Sequence, residues 1–179
     1  MFVTFTRHMA WHMWLVAVAV PILAVMIRGT RLDPVRRASA LFSPLIACLI
    51  EFVVVWGWHL PKLHAAARHD TVWFAAEQIS FAAAALLLWT SILGGDGRER
   101  DTRAATGVIA LVLTFAHMTM LGVLIALAPR ELYGHSTTLA DQQQGGAIMI
   151  LAGTLAYPAA AVWLSRSLIS ARAIGGGRA

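Results

Sequence analysis

Charged side chains are scarce in this sequence. Only 13% of its 179 residues are Asp, Glu, Lys or Arg, whereas 59% are hydrophobic. Soluble domains carry about 25% charged residues, so this composition excludes an ordinary soluble fold and predicts an integral membrane protein. The net charge is +5, but the basic residues are scattered at the ends of apolar runs. Without a basic stripe, nucleic acid is not the expected partner.

Cysteine is almost absent. Cys48 is the only one in the chain, so the sequence excludes an internal disulfide and a paired-thiolate metal motif. We interpret it as a small buried hydrophobic residue.

Five apolar runs are long enough to cross a lipid bilayer, whose core of ~30 Å needs about 20 residues per helix. Backbone groups in lipid must be paired within their own segment, so the runs are predicted to be helices. The predicted fold is all-α, a bundle of five transmembrane helices in a single membrane domain covering 1–179. The helices are expected at 9–27, 43–60, 71–93, 104–128 and 143–165.

Basic residues mark one side of the predicted bundle. Ten of the fourteen Lys and Arg residues follow helices 1, 3 and 5, so the positive-inside rule places the N-terminus outside and the C-terminus in the cytoplasm. A bacterial inner membrane, with the opposite face toward the periplasm or exterior, is the expected location. The ten residues are Arg28, Arg31, Arg36, Arg37, Arg98, Arg100, Arg103, Arg166, Arg172 and Arg178.

Prolines are expected to kink, start or end these helices. Pro21 lies inside the first apolar run, where it removes a backbone hydrogen bond and predicts a kink. Ser43 and Pro44 are typical of a helix start, whereas Pro61 is expected to end the second helix and open an outer loop that reaches residue 70.

The start of the fifth helix has its own signals. Asp141 suits a helix N-cap, because its carboxylate can accept backbone hydrogen bonds. Gly145 and Gly146 follow, and they predict the close approach of another backbone.

The opening motif RHMAWHM pairs two kinds of soft metal ligand. His8 and His12 are four residues apart, as are Met9 and Met13, so each pair projects from one face of a helix. The same spacing also suits a membrane interface, where His and Trp are common. The motif alone therefore leaves a metal site and an interfacial belt open.

Other polar residues are expected at increasing depth below this motif. At ~1.5 Å per residue, His59 lies at the mouth, Glu77 lower, and Glu51 and His117 near mid-membrane. Acids inside a membrane are costly and usually functional, although hydrogen bonding between helices would also account for them. If the helices converge, these residues form a polar funnel open to the outside.

Imidazole and thioether ligands without thiolate suit copper better than zinc, magnesium or calcium. His64, His69 and His135 are interpreted as solvated or interfacial histidines and not as fixed ligands. The candidate metal ligands are His8, His12, His59, Glu77, His117 and Met149, with Met9, Met13, Met120, Glu51 and Asp141 secondary.

Two further functions stay open on the sequence. One is a haem-binding electron-transfer protein, with His117 and either His12 or His59 as axial ligands. The other is a structural membrane subunit without a metal, whose polar residues only join helices. Self-association is compatible with all three interpretations.

The order of several motifs resembles CtaG-type cytochrome c oxidase assembly factors. They are HMAWHM at 8–13, WGWHLP at 56–61, E-x-x-x-F at 77–81, MLGVLIALAPRELY at 120–133 and DQQQGGAIM at 141–149. The resemblance implies a polytopic membrane protein, not an enzyme, that helps to build a haem-copper oxidase and handles copper. Its expected partner is an oxidase subunit or another copper protein.

The resemblance carries over to particular positions. Where relatives often have histidines around the helix 3 glutamate, this chain has Phe74 and Gln78, and where they often have Trp it has Ile150. The matching residues are His8, Met9, His12, Met13, Trp58, His59, Pro61, Glu77, Asp141, Gln142, Gln143, Gly146 and Met149.

Overall fold

A computed structural model describes residues 4–39, 42–94, 97–134 and 137–176, and within these ranges it contains helices and no strand. The predicted all-α class is confirmed. The α-helices are α1 (Phe5–Trp14), α2 (Val20–Ile27), α3 (Pro44–Trp58), α4 (Pro61–His69), α5 (Thr71–Leu93), α6 (Gly97–Ala126) and α7 (Leu139–Gly176). A π turn (Leu15–Ala19) joins α1 to α2, and a 3-10 turn (Pro34–Arg36) follows α2.

Four helical stretches of the described chain are long and apolar enough to cross a membrane. They are Phe5–Ile27, Thr71–Leu93, Asp101–Ala126 and Leu139–Ser170. The bent pair of α3 and α4 makes a fifth if it counts as one span. The chain is therefore a multi-pass membrane protein, and the predicted helix 3 at 71–93 coincides with α5.

The expected effect of Pro21 takes the form of a π turn. The Val20 N–H donates to the Leu15 carbonyl, five residues back, so the carbonyl of Val16 would have to pair with Pro21, which has no N–H. The indole of Trp89 on α5 donates to that Val16 carbonyl at 3.3 Å. A side chain from another helix thus satisfies the backbone group that proline leaves open.

The loop predicted after Pro61 is wrong, because α4 is a helix. Pro44 and Pro61 each stand in the first turn of their helix, which is a position that proline favours, and the alanines at 65–67 are strong helix formers. The axis bends by 73° between α3 and α4. The bend turns α4 away from the line of α3 at the end of the bundle where α1, α5 and α7 begin, which we call the histidine end.

Asp141 caps a helix, but not the predicted one. Helix α7 begins earlier, at Leu139, and the hydroxyl of Thr138 accepts the Asp141 N–H at 3.2 Å. The Asp141 carboxylate instead accepts the Phe5 N–H at 2.7 Å and the Thr6 N–H at 3.0 Å, and the Thr6 hydroxyl donates to it at 2.6 Å. It therefore holds the first turn of α1 against α7.

The predicted close approach at the α7 glycines is confirmed. A Cβ atom on Gly145 would lie 2.4 Å from the ring of Phe5, and one on Gly146 would lie 2.6 Å from the Ala126 nitrogen. The buried Gln142 beside them accepts from the Leu132 N–H at 2.7 Å and donates to the Ile125 carbonyl at 3.2 Å. The DQQQGG segment thus fastens α7 to α1 and α6.

Replacing Asp141 by alanine should lower the free energy of unfolding by about 1–2 kcal/mol, because the first N–H groups of α1 lose their charged acceptor. SDS titration of the protein in mild detergent measures this. The matched control is Asp70→Ala, which removes a cap made only within α5, to the N–H groups of Val72 and Trp73. A loss no larger than that of the control would contradict the role of Asp141 in joining two helices.

Gly146→Ala should cost about 1–3 kcal/mol of stability, since the added methyl group meets the backbone of α6, which cannot move aside easily. Gly153→Ala on the same helix is the control, because its Cβ would make only an ordinary contact at 3.7 Å with Met118. The same SDS titration compares the two, and equal stability of both variants would refute the close approach.

Candidate metal centre

Four buried histidines form a continuous row at the histidine end. His8 and His12 come from α1, His59 follows α3, and His64 lies on α4. The ring centres of His64 and His8 are 5.1 Å apart, those of His8 and His12 5.3 Å, and those of His12 and His59 5.5 Å. Each ring is nearly perpendicular to the next, and no side chain of the four is more than 6% exposed.

Three side chains at the His64 end of this row could share one ion. His8, His64 and Glu77 each offer a ligand atom, and these atoms lie within 4.8 Å of one another. Glu77 on α5 is buried, and its Oε1 lies 3.2 Å from the Nε2 of His8. A carboxylate buried at this depth needs a positive partner or several hydrogen bonds. His8 supplies one such contact, and an ion between these three groups would take the place of this contact.

The second oxygen of Glu77 is held by its neighbour. The Gln78 amide donates to Oε2 at 3.1 Å, which leaves Oε1 facing His8. The Ser80 hydroxyl donates to the Glu77 carbonyl at 2.8 Å and accepts from the indole of Trp58 at 2.7 Å. The Gln78 amide thus orients the carboxylate in the way that outer-shell partners orient metal ligands, whereas Ser80 and Trp58 hold the backbone of α5 at this point.

Several imidazole nitrogens have no protein partner among the described residues. The Nδ1–H of His59 donates to the Val55 carbonyl at 2.7 Å, so its Nε2 carries a lone pair, and that atom is buried and unpaired. The Nε2 of His64 and the Nδ1 of His12 are also buried without a partner. Buried polar groups are normally hydrogen-bonded, so these nitrogens are available for an ion.

Aromatic rings close the site on several sides. Phe5 and Tyr133 stack at 4.8 Å, and both contact the ring of His64. The Tyr133 hydroxyl donates to the His59 carbonyl at 3.2 Å, and burial raises the pKa of Tyr133 well above its usual range. Tyr133 therefore stays neutral and serves as a wall, which lowers the local dielectric and strengthens interactions inside.

Two predicted ligands lie elsewhere in the bundle. His117 on α6 packs against Phe52 of α3, with ring centres 5.3 Å apart, and neither ring nitrogen has a partner among the described residues. Glu51 is buried in a second polar group, where it accepts from the Thr114 hydroxyl at 3.1 Å and the Tyr157 hydroxyl at 3.5 Å. These bonds join α3 to α6 and α7.

The predicted methionine ligands have separate positions. Met9 is buried, and its Cγ would lie 3.0 Å from a Cβ on Gly145, so it packs toward α7. Met13 and Met149 are buried in the hydrophobic core, and Met120 is 50% exposed. Asp141 is occupied as the cap of α1, and His135 lies outside the described residues.

His64 is the residue that the sequence analysis set aside and the structure brings to the site. Pro61 and the alanines of α4 favour a helix, so the helix that carries His64 could have been predicted. The direction in which His64 points could not, because it depends on the bend between α3 and α4. Phe74 on α5 has its ring centre 6.1 Å from that of His8. Next to His8, α5 thus contributes the apolar ring of Phe74, and α4 contributes the imidazole of His64.

One comparison with known proteins identifies the family of the chain. A family model described as the cytochrome c oxidase caa3 assembly factor matches residues 1–171. The chain belongs to this family. No curated protein and no solved structure gives a match. The oxidase-assembly resemblance is therefore confirmed, and the histidine row lies within the matched range of this assembly factor.

Gln78→Leu should weaken the binding of a divalent ion such as Cu(II) by about 10–100-fold, because Glu77 loses the donor that orients its second oxygen. Competition with a calibrated chelator measures the affinity. Gln144→Leu, a change at an exposed position of α7, is the control. If both variants bound as tightly as the unaltered protein, Gln78 would have no role in positioning the carboxylate.

Proposed function

We propose that this assembly factor binds copper at His8, His64 and Glu77 and delivers it to a subunit of a haem-copper oxidase while that enzyme is built. The observation that carries the proposal is the buried convergence of two imidazoles and one carboxylate from three different helices. Imidazole is a good copper ligand. The family membership supports the oxidase as the recipient.

The ligand number suits a carrier. Three protein ligands leave at least one coordination position open, as in catalytic metal sites, whereas structural sites are closed by four. A ligand from a recipient protein can enter this position before the carrier ligands leave. The protein catalyses no reaction in this proposal, since the ion itself is the cargo.

The distribution of charge supports a location for the site. Among the described residues, the histidine end is opposite the loop after α2, which holds Arg28, Arg31, Arg36 and Arg37, so the positive-inside rule supports an exterior or periplasmic site in a bacterial inner membrane. Copper would therefore enter from the outside and need not cross the bilayer.

Copper titration of the purified protein tests the proposal. The unaltered protein should bind Cu(II) stoichiometrically at the cluster, and His64→Leu and Glu77→Gln should each abolish that binding. His69→Gln is a matched control, because it changes an exposed histidine on the same helix α4. An absorption spectrum of the same samples reveals any haem by its Soret band.

The delivery step is tested in cells that lack the native gene. Complementation with His64→Leu or Glu77→Gln should leave the oxidase deficient in copper, and complementation with His69→Gln should restore it. Copper binding that persists in both site variants, or a fully loaded oxidase in cells that carry them, would refute the proposed function.

A further inference from the structure

The two innermost imidazoles of the row form a pair of their own. His12 lies one helical turn below His8 on α1, about 6 Å deeper, and its ring faces His59 at the end of α3 with a centre distance of 5.5 Å. We propose that His12 and His59 form a second, deeper copper site that prefers the monovalent ion. The inference rests on the proposed function, because it gives the same carrier a second site, which would hold copper in its other oxidation state.

The spacing of the pair fits a shared ion. With a metal to nitrogen distance of about 2 Å, and a ring centre about 1 Å from its nitrogen, two imidazoles on one ion have centres roughly 5–6 Å apart. The His12 and His59 rings fall in this range and stand at 87° to each other. The distance between the two rings therefore leaves room for one ion between them.

Both rings present nitrogens that nothing else uses. The donation from His59 Nδ1 to the Val55 carbonyl fixes the tautomer and leaves the Nε2 lone pair free. On His12, which is 2% exposed, the buried Nδ1 has no partner among the described residues. Two unsatisfied nitrogens on adjacent buried rings each cost free energy, and a shared ion would remove both costs.

The residues around the His12 and His59 pair favour an ion of low charge. The ring of Phe81 contacts His12 at 4.8 Å and His59 at 6.2 Å, so the pair lies against an apolar wall. In the described chain, the Glu77 carboxylate groups with His8 and His64 as a ligand; it interacts electrostatically with His59 but is not a ligand of this pair. A divalent ion buried with only neutral ligands keeps its full charge in a low dielectric, which is costly. Cu(I) carries half that charge and is stable with two ligands.

The two sites thus differ in a predictable way. The outer site combines imidazoles with a carboxylate and suits a divalent ion, whereas the inner pair suits a monovalent one. The two sites are adjacent, because His8 and His12 have ring centres 5.3 Å apart, and each is proposed to hold its own ion.

Sequential titration separates the sites, with Cu(II) as the divalent probe and Ag(I) as a redox-silent substitute for Cu(I). Protein saturated with one equivalent of Cu(II) should still bind one equivalent of Ag(I). The variant His59→Asn should lose the Ag(I) equivalent and keep Cu(II), since the asparagine amide can still donate to the Val55 carbonyl but has no atom at the Nε2 position. Glu77→Gln should show the reverse pattern.

His117→Asn is the control, since it changes a buried histidine of α6 outside the row, and both ions should bind to it normally. Circular dichroism and SDS titration verify that each variant is folded. Displacement of Cu(II) by Ag(I) in a one-for-one exchange, or Ag(I) binding that survives both His12→Gln and His59→Asn, would overturn the second site. If neither ion binds the unaltered protein, the proposed copper function fails as well; if only Cu(II) binds, the second site alone fails.

Discussion

The bonds from Asp141 to the first turn of α1 are the constraint on which the histidine end depends. A helix start exposes N–H groups that need acceptors and carries a partial positive charge. Here the acceptor is a carboxylate from the other end of the chain, 136 residues away in sequence from Phe5. His8 follows within one turn, so the positions of His8 and His12 are set from α7. The DQQQGG motif acts on the histidine row through this contact, although none of its side chains belongs to the row.

The spans could be predicted from sequence because the requirement behind them is local. Any apolar run of sufficient length in a bilayer must pair its own backbone groups, and α5 matches the expected residues at both ends. The close packing at Gly146 was equally accessible, because small residues in a membrane helix are typical of a surface where another helix packs closely. The role of Asp141 was not, since an N-cap for its own helix and one for a distant helix look identical in sequence.

The candidate site was only partly predictable for a similar reason. The spacing of His8 and His12 determines that they share a face, but it does not determine which other residues that face meets. The 73° bend between α3 and α4 decides this by turning His64 toward α1. Residues at similar predicted depth, such as His117 and Glu51, belong to different contacts, because depth along the bilayer normal fixes only one of three coordinates. Met120 shows the same limit, since it is half exposed on α6.

The π turn at Leu15–Ala19 allows the two halves of the first span to meet separate requirements. Each additional residue in a turn rotates everything beyond it by about 100° relative to an unbroken α-helix. The half of the span that carries His8 and His12 can therefore be oriented by their contacts with His64 and His59, while the half that carries Val20 and Ala24 is oriented by packing in the core. The turn thus sets the rotation of α1 about the helix axis relative to α2, and the hydrogen bond from the Trp89 indole to the Val16 carbonyl holds this rotation fixed.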